Sequence, residues 1–162
     1  CRHHKWCDLS ETYGGISILN DGKYGVGFLE NQISLSLLRS PIRPDVTADM
    51  GHHSFCYRIV PHAGDPVQAG INRRALQFNQ PPIKSDVAYN GTDFVPLYLQ
   101  AMKFSEDGER IVVRLSEQDG RRGTLRLPRK VQVLNMLEDV ERETDSVDYT
   151  PFEILTLGWP VE

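Results

Sequence analysis

Cysteine is sparse in this sequence: Cys1, Cys7 and Cys56 are the only three in 162 residues. So low and odd a count excludes a disulfide framework as the organising device, and it fits a reducing compartment, so a cytoplasmic location is expected. Neither sign of charge dominates. With 18 Lys and Arg against 22 Asp and Glu, the net charge is -4, which gives no electrostatic reason to bind nucleic acid or an anionic membrane. No apolar run approaches the roughly 20 residues of a membrane-spanning helix, and the opening residues lack the basic-then-apolar pattern of a secretory leader. Nucleophile-elbow, P-loop, dinucleotide and H-E-x-x-H patterns are all missing. Aromatic residues make up only 9% and form no Trp or Tyr cluster of the kind that stacks sugars.

Period-two alternation is what the sequence has in quantity. Ile33, Leu35 and Leu37 alternate with Ser34 and Ser36, and Ile111, Val113 and Leu115 alternate with Arg110 and Arg114. Phe55 to Ile59, Thr124 to Leu127, Lys130 to Val133 and Phe152 to Leu157 read the same way, as half-buried strands. Turn residues punctuate these runs. Asn20-Asp21-Gly22, Glu30-Asn31, Glu106-Asp107-Gly108 and Gln118-Asp119-Gly120 are each expected at a hairpin tip. One helix is expected near 65–78. Asp65-Pro66 with Gln68 forms its start signal, and Val67, Ile71, Ala75 and Phe78 share one face up to a stop at Pro81-Pro82. The expectation is an all-β, antiparallel β-sandwich of about ten or more strands over residues 1–162, with no clear linker between two domains.

Few residues invite chemistry. Cys1, His3, His4 and Cys7 are zinc-type ligands, but no second ligand pair follows at a usual spacing, and adjacent His3 and His4 project to opposite faces of a strand, so no metal site is expected. His52 and His53 share that geometry, which leaves one of them to face a cleft. His62 follows Pro61 at a strand end, where a turn role is expected. Arg39 ends a strand and offers a planar fork of donors. Asp45 and Asp49 lie in a loop bounded by Pro44 and Gly51, where such residues either serve a site or cap turns through their own backbone. Arg39, Asp45, Asp49 and His53 are therefore the candidates for a substrate cleft.

Several stretches, in their order, resemble one family. His4-Lys5-Trp6-Cys7-Asp8-Leu9-Ser10-Glu11 runs into Tyr13-Gly14-Gly15, then Leu19-Asn20-Asp21-Gly22-Lys23-Tyr24-Gly25. Leu35 to Pro41 follows, then Pro44-Asp45, Ala48-Asp49, Gly51, His53 and Pro61-His62-Ala63-Gly64. Glu117, Gly120-Arg121-Arg122-Gly123, Asn135-Met136-Leu137-Glu138 and Pro151-Phe152-Glu153-Ile154 extend the likeness. Together they are similar to the C-terminal β region of family 38 glycoside hydrolases, the α-mannosidases, on the bacterial and cytosolic branch. The resemblance implies a retaining enzyme whose zinc and Asp nucleophile lie in an N-terminal catalytic barrel and a helical domain. It also implies a C-terminal supersandwich, like that of galactose mutarotase, packed against them beside the cleft.

No segment here matches the catalytic or zinc-binding residues of that family. The expectation is a piece of a longer polypeptide, opening on Cys1 without Met, that holds no cofactor and turns over no mannose-containing glycan alone. Its partners would be the N-terminal domains of the same polypeptide. An exposed apolar patch from Trp6, Trp159 and Tyr24 is expected, with a homo-oligomer as one outcome. Two other readings compete: a stand-alone carbohydrate-binding module, and a mutarotase-type enzyme using a His and a Glu.

Overall fold

The computed structural model describes residues 4–80 and 94–161. Cys1, His3 and the proline stop at Pro81-Pro82 lie outside them. Among the described residues the chain forms ten strands, all antiparallel in their pairings, and one short helix. It divides into two compact units, residues 1–85 and 86–162, each described by itself.

The first unit contains β1 (Trp6–Glu11), β2 (Gly14–Asn20), β3 (Val26–Leu29), β4 (Gln32–Leu35), β5 (Tyr57–Ala63) and α1 (Ile71–Asn79). β2 is the middle strand of a three-stranded sheet, and β3 and β4 make a separate ribbon. Successive residues of β2 point to opposite faces, so Leu19 and Ile18 seed two small cores. Leu19 and Val60 pack with Ile71 and Ala75 of the helix, joined by Trp6 and Phe78. Ile18 and Cys7 pack with Val26, Ile33 and Leu35 of the ribbon. The sheet is thus held between a helix and a ribbon, and each fully buried aliphatic side chain stabilises by about 1.5–3 kcal/mol.

The helix starts later than expected. Asp65 does cap a turn, its Oδ1 accepting the Gln68 N–H at 2.7 Å, and the Ile71 N–H reaches the Pro66 carbonyl at 2.9 Å. Gly70, however, has φ +65°, a left-handed backbone that a continuing α-helix cannot contain. Residues 66–70 therefore form turns, and α1 begins at Ile71. A Cβ at Gly70 would meet nothing within 4 Å, so only the backbone opposes it. Gly70→Ala should cost about 1 kcal/mol, read as faster hydrogen exchange in α1.

The second unit holds β6 (Tyr98–Phe104), β7 (Arg110–Ser116), β8 (Gly123–Leu134), β9 (Val140–Tyr149) and β10 (Ile154–Pro160), in the order β6-β7-β10-β8-β9. The last strand in sequence is the central one in space. It pairs with β7 over seven positions and with β8 over three. Val113, Leu115, Val133, Leu155 and Leu157 on one face join Leu125, Leu127, Val147 and Tyr149 in a single core. The two strands expected at 124–127 and 130–133 are one strand with a register shift between Arg126 and Val131, where Pro128 has no N–H to give the ladder.

Two expected hairpins form, β3–β4 through Glu30-Asn31 and β6–β7 through Glu106-Asp107-Gly108. The other two turns change partners instead. After Asn20-Asp21-Gly22 the chain leaves the first sheet for the ribbon, and after Gln118-Asp119-Gly120 it crosses from β7 to β8, on the far side of β10. Side chains fix both departures. Asn20 Oδ1 accepts the N–H groups of Gly22 and Lys23 at 3.0 and 2.7 Å, and the Glu117 carboxylate accepts those of Asp119 and Gly120 at 2.8 and 3.0 Å.

Candidate functional site

A long irregular loop joins β4 to β5. It leaves at Ser36, whose N–H reaches the Gly25 carbonyl at 2.9 Å, and returns at Cys56, whose N–H is held by Asp21 Oδ2 at 2.7 Å. Inside it, Asp49 is the organising residue. Its Oδ2 accepts the N–H groups of Arg39 and Ser40 at 3.2 and 2.6 Å, tying the start of the loop to its far turn. Its own carbonyl lies 3.0 Å from His53 Nε2. A carbonyl only accepts, so Nε2 carries the hydrogen, and in a neutral imidazole of this tautomer Nδ1 is the acceptor.

These contacts shape an open cleft of about 380 Å³, lined among others by Lys23, Ser36, Arg39, Asp49 and His53. Lys23 Nζ also lies 5.0 Å from the centroid of the Phe55 ring. Donors on Lys23 and Arg39 and acceptors on Asp49 and His53 line the same cleft. That mixture suits neighbouring hydroxyl groups, each of which gives one hydrogen and accepts others. Asp49 is the one carboxylate among the described lining residues.

The structure brings together three of the four sequence candidates, Arg39, Asp49 and His53, and it is His53 rather than His52 that lines the cleft. Asp45 stands apart. Its Oδ1 accepts the Thr47 N–H at 2.8 Å and the Thr47 hydroxyl at 2.7 Å, and these two bonds hold its carboxyl below the usual carboxylate range. Asp45 builds a turn.

A second polar cluster escaped sequence reasoning. His62 is on strand β5, not in a turn, and its Nε2 lies 2.7 Å from Asp8 Oδ2 on β1, with only 3% and 9% of the two side chains exposed. The hydroxyls of Ser10 and Ser17 also donate to Asp8. Burial alone would raise the Asp8 pKa, but the hydrogen bonds from Ser10, Ser17 and His62 outweigh it and hold the carboxyl low. Alternation assigns Asp8, Ser10 and Ser17 to a polar, solvent-facing side. The cue to burial is the glycine at position 15, opposite Ser10 and His62.

Other expected surface residues are packed. Trp6 donates its indole N–H to Asn72 Oδ1 at 2.8 Å and joins the helix-side core, and Trp159 meets Phe94 edge-on at 6.1 Å. Tyr24 is exposed and lies against His4, the ring centroids 4.9 Å apart and the planes tilted by 39°. Cys7 is buried, and burial pushes its thiol pKa up.

Two family models match the chain. The model for the glycosyl hydrolases family 38 C-terminal domain covers residues 2–47, and that for the family 38 C-terminal beta sandwich domain covers residues 96–157. Alpha-mannosidase G of Dictyostelium discoideum is 34% identical over 179 residues, covering 94% of this chain and 16% of its own length. Alpha-mannosidase 2C1 of Mus musculus is 49% identical over 78 residues, 48% of this chain and 8% of its own. An alpha-mannosidase of Saccharomyces cerevisiae is 42% identical over 98 residues, 59% of this chain and 9% of its own. The chain therefore spans only a small part of the length of the relatives it matches.

Proposed function

The chain belongs to glycosyl hydrolase family 38 as C-terminal β structure, and from that premise we propose that it is the accessory part of a longer retaining α-mannosidase, contributing one wall of a sugar-binding cleft. In this reading Arg39, Asp49 and His53 hold hydroxyl groups of a terminal α-mannosyl residue or of the sugar beside it. The carboxylates that break the bond lie elsewhere in the polypeptide, and these residues alone turn over no glycan. The enzyme works in the cytoplasm.

One observation carries this reading: Arg39, Asp49 and His53, 4 to 14 positions apart, converge on a single cleft because Asp49 binds the backbone at Arg39 and presents its carbonyl to His53. Retaining glycosidases need two carboxyl groups about 5–5.5 Å apart, and one carboxylate lines this cleft. The zinc of the family does not fit here either. Among its described lining residues the cleft offers one carboxylate and one imidazole, Asp49 and His53, where a catalytic zinc takes three protein ligands.

The test is kinetic and uses the longer enzyme. With folding verified, Arg39→Ala, Asp49→Asn and His53→Ala should each lower kcat/KM on an aryl α-mannoside about ten- to a hundredfold, as expected for a lost hydrogen bond involving a charged or strongly polar group. Asp45→Asn should have the smallest effect of the four. Unchanged kinetics in the first three variants would remove the cleft from the sugar site.

A further inference from the structure

The sheet of the second unit is unevenly covered. Leu99, Met102 and Phe104 of β6 stand opposite Leu115, Val113 and Ile111 of β7, and antiparallel partners share a face. They therefore lie on the face that carries the main core. Trp159 of β10, opposite Ile111, continues the row. Ala101 and Lys103 point to the other face, where Lys103 stands opposite the buried Val112 and, with Arg114, meets Glu138 at 2.6 and 3.8 Å. In residue type β6 alternates as a strand that buries one side does, yet past Tyr98 all of it is exposed.

Burial stops partway along it. Leu115 is fully buried and Val113 nearly so, yet Met102 is 54% exposed and Phe104 64%, with Leu99 and Ile111 also open. The apolar face runs out from under its cover at an edge strand. The opposite edge, β9, is guarded by exposed Glu141, Arg142, Glu143 and Asp145, the usual defence of an edge that meets water. β6 presents one charge, Lys103, turned to the other face.

We infer that β6 and the adjoining end of β7 are a docking face for an apolar surface of the same polypeptide outside these 162 residues. The inference rests on reading the chain as part of a longer α-mannosidase, and it names the surface through which that attachment is made. Its support is the continuity of Leu99, Met102, Phe104 and Ile111 with the core. The length of the relatives adds to it, since this chain corresponds to 16% of one and less of the others. The polypeptide beyond the matched region is large enough to supply the cover.

Methionine oxidation in the full-length protein tests this without any substitution. Met102 and Met136 are similarly exposed here, at 54% and 62%, so dilute hydrogen peroxide would convert both thioethers to sulfoxides at similar rates if β6 were bare. The expected result is that Met102 in the native protein oxidises at least about tenfold more slowly than in the unfolded protein, and that Phe104→Glu restores most of that rate. Met102 oxidising within about twofold of its unfolded rate would overturn the inference. So would protection that disappears on dilution to nanomolar concentration, because the cover would then be a second copy. No sugar enters the measurement, so absence of mannosidase turnover would refute the functional reading and leave this result standing.

Discussion

Gly15→Ala should disrupt the sheet of the first unit, at a cost of about 3–5 kcal/mol. Gly15 sits in the middle strand, opposite Ser10 of β1 and His62 of β5. A methyl group there would lie 2.3 Å from the Ser10 Cβ and 2.6 Å from the Leu9 carbonyl oxygen. The second contact is backbone and cannot rotate away. There is also a reason why space is needed at this point. Asp8 and His62 are on the outer strands, and adjacent strands are about 4.8 Å apart. For His62 Nε2 to reach Asp8 at 2.7 Å, its ring must cross the middle strand, and a glycine leaves the way clear. The substitution therefore strains the strand pairing and threatens the His62–Asp8 hydrogen bond that spans all three strands. Hydrogen exchange of the β1, β2 and β5 peptides in the longer protein reads the effect. Wild-type protection in Gly15→Ala would refute this account. Asp8 adds a pH signature. Its pKa is held below the ordinary 3.8, so its contribution is complete above that value and is lost as pH falls below it.

Glu117→Ala is the second large effect, at about 2–4 kcal/mol. The Glu117 carboxylate is buried. Besides Asp119 and Gly120, it accepts the Phe152 N–H at 2.9 Å and the backbone N–H of Arg121. Four donors from two segments close on one side chain, joining the β7-to-β8 crossover to the turn before β10. Phe152 itself stands at φ +62°, a strained conformation for a bulky residue, and this carboxylate helps to hold it. Burial pushes the Glu117 pKa up, but the N–H groups of Phe152, Arg121, Asp119 and Gly120 pull it down further. A carboxyl with a depressed folded pKa stabilises fully above its ordinary value, here 4.5, and less as pH falls below it. Peptides spanning 117–123 and 149–154 should therefore lose exchange protection together in the variant, and in the wild type on acidification. The Asp119 carboxylate, which accepts from the Tyr98 hydroxyl at 3.1 Å, ties the same crossover to β6.

Where apolar residues recur at every second position, the strands could be read directly: Ile33 and Leu35 mark β4, and Ile111, Val113 and Leu115 mark β7, although β7 buries Val112 as well. β1, β6 and β9 were not legible, each for its own reason. β1 buries Asp8 in a polar cluster, so its inward face looks outward. β6 carries a bulge between Leu99 and Ala101 that shifts the phase. β9 is an edge strand dressed in charge. Hairpin turns were legible as turns, but the partners of the strands they join depend on contacts far away in sequence, such as those of Glu117 with Phe152. The cleft was half visible. Arg39, Asp49 and His53 have side chains of the right types in a bounded loop, whereas the turn role of Asp45 follows from Thr47 two residues later, and Lys23 enters from a different segment altogether.

The central position of β10 has a consequence for biosynthesis. As the second unit leaves the ribosome, β6–β7 and β8–β9 emerge as two hairpins with a strand-wide gap between β7 and β8, and neither edge of that gap has a partner until residues 154–160 appear. The sheet cannot zip up progressively; it closes in one late step. A transcript truncated ahead of Ile154 would yield two exposed ladders in search of any strand to bind, which is the profile of a nascent chain that needs a chaperone.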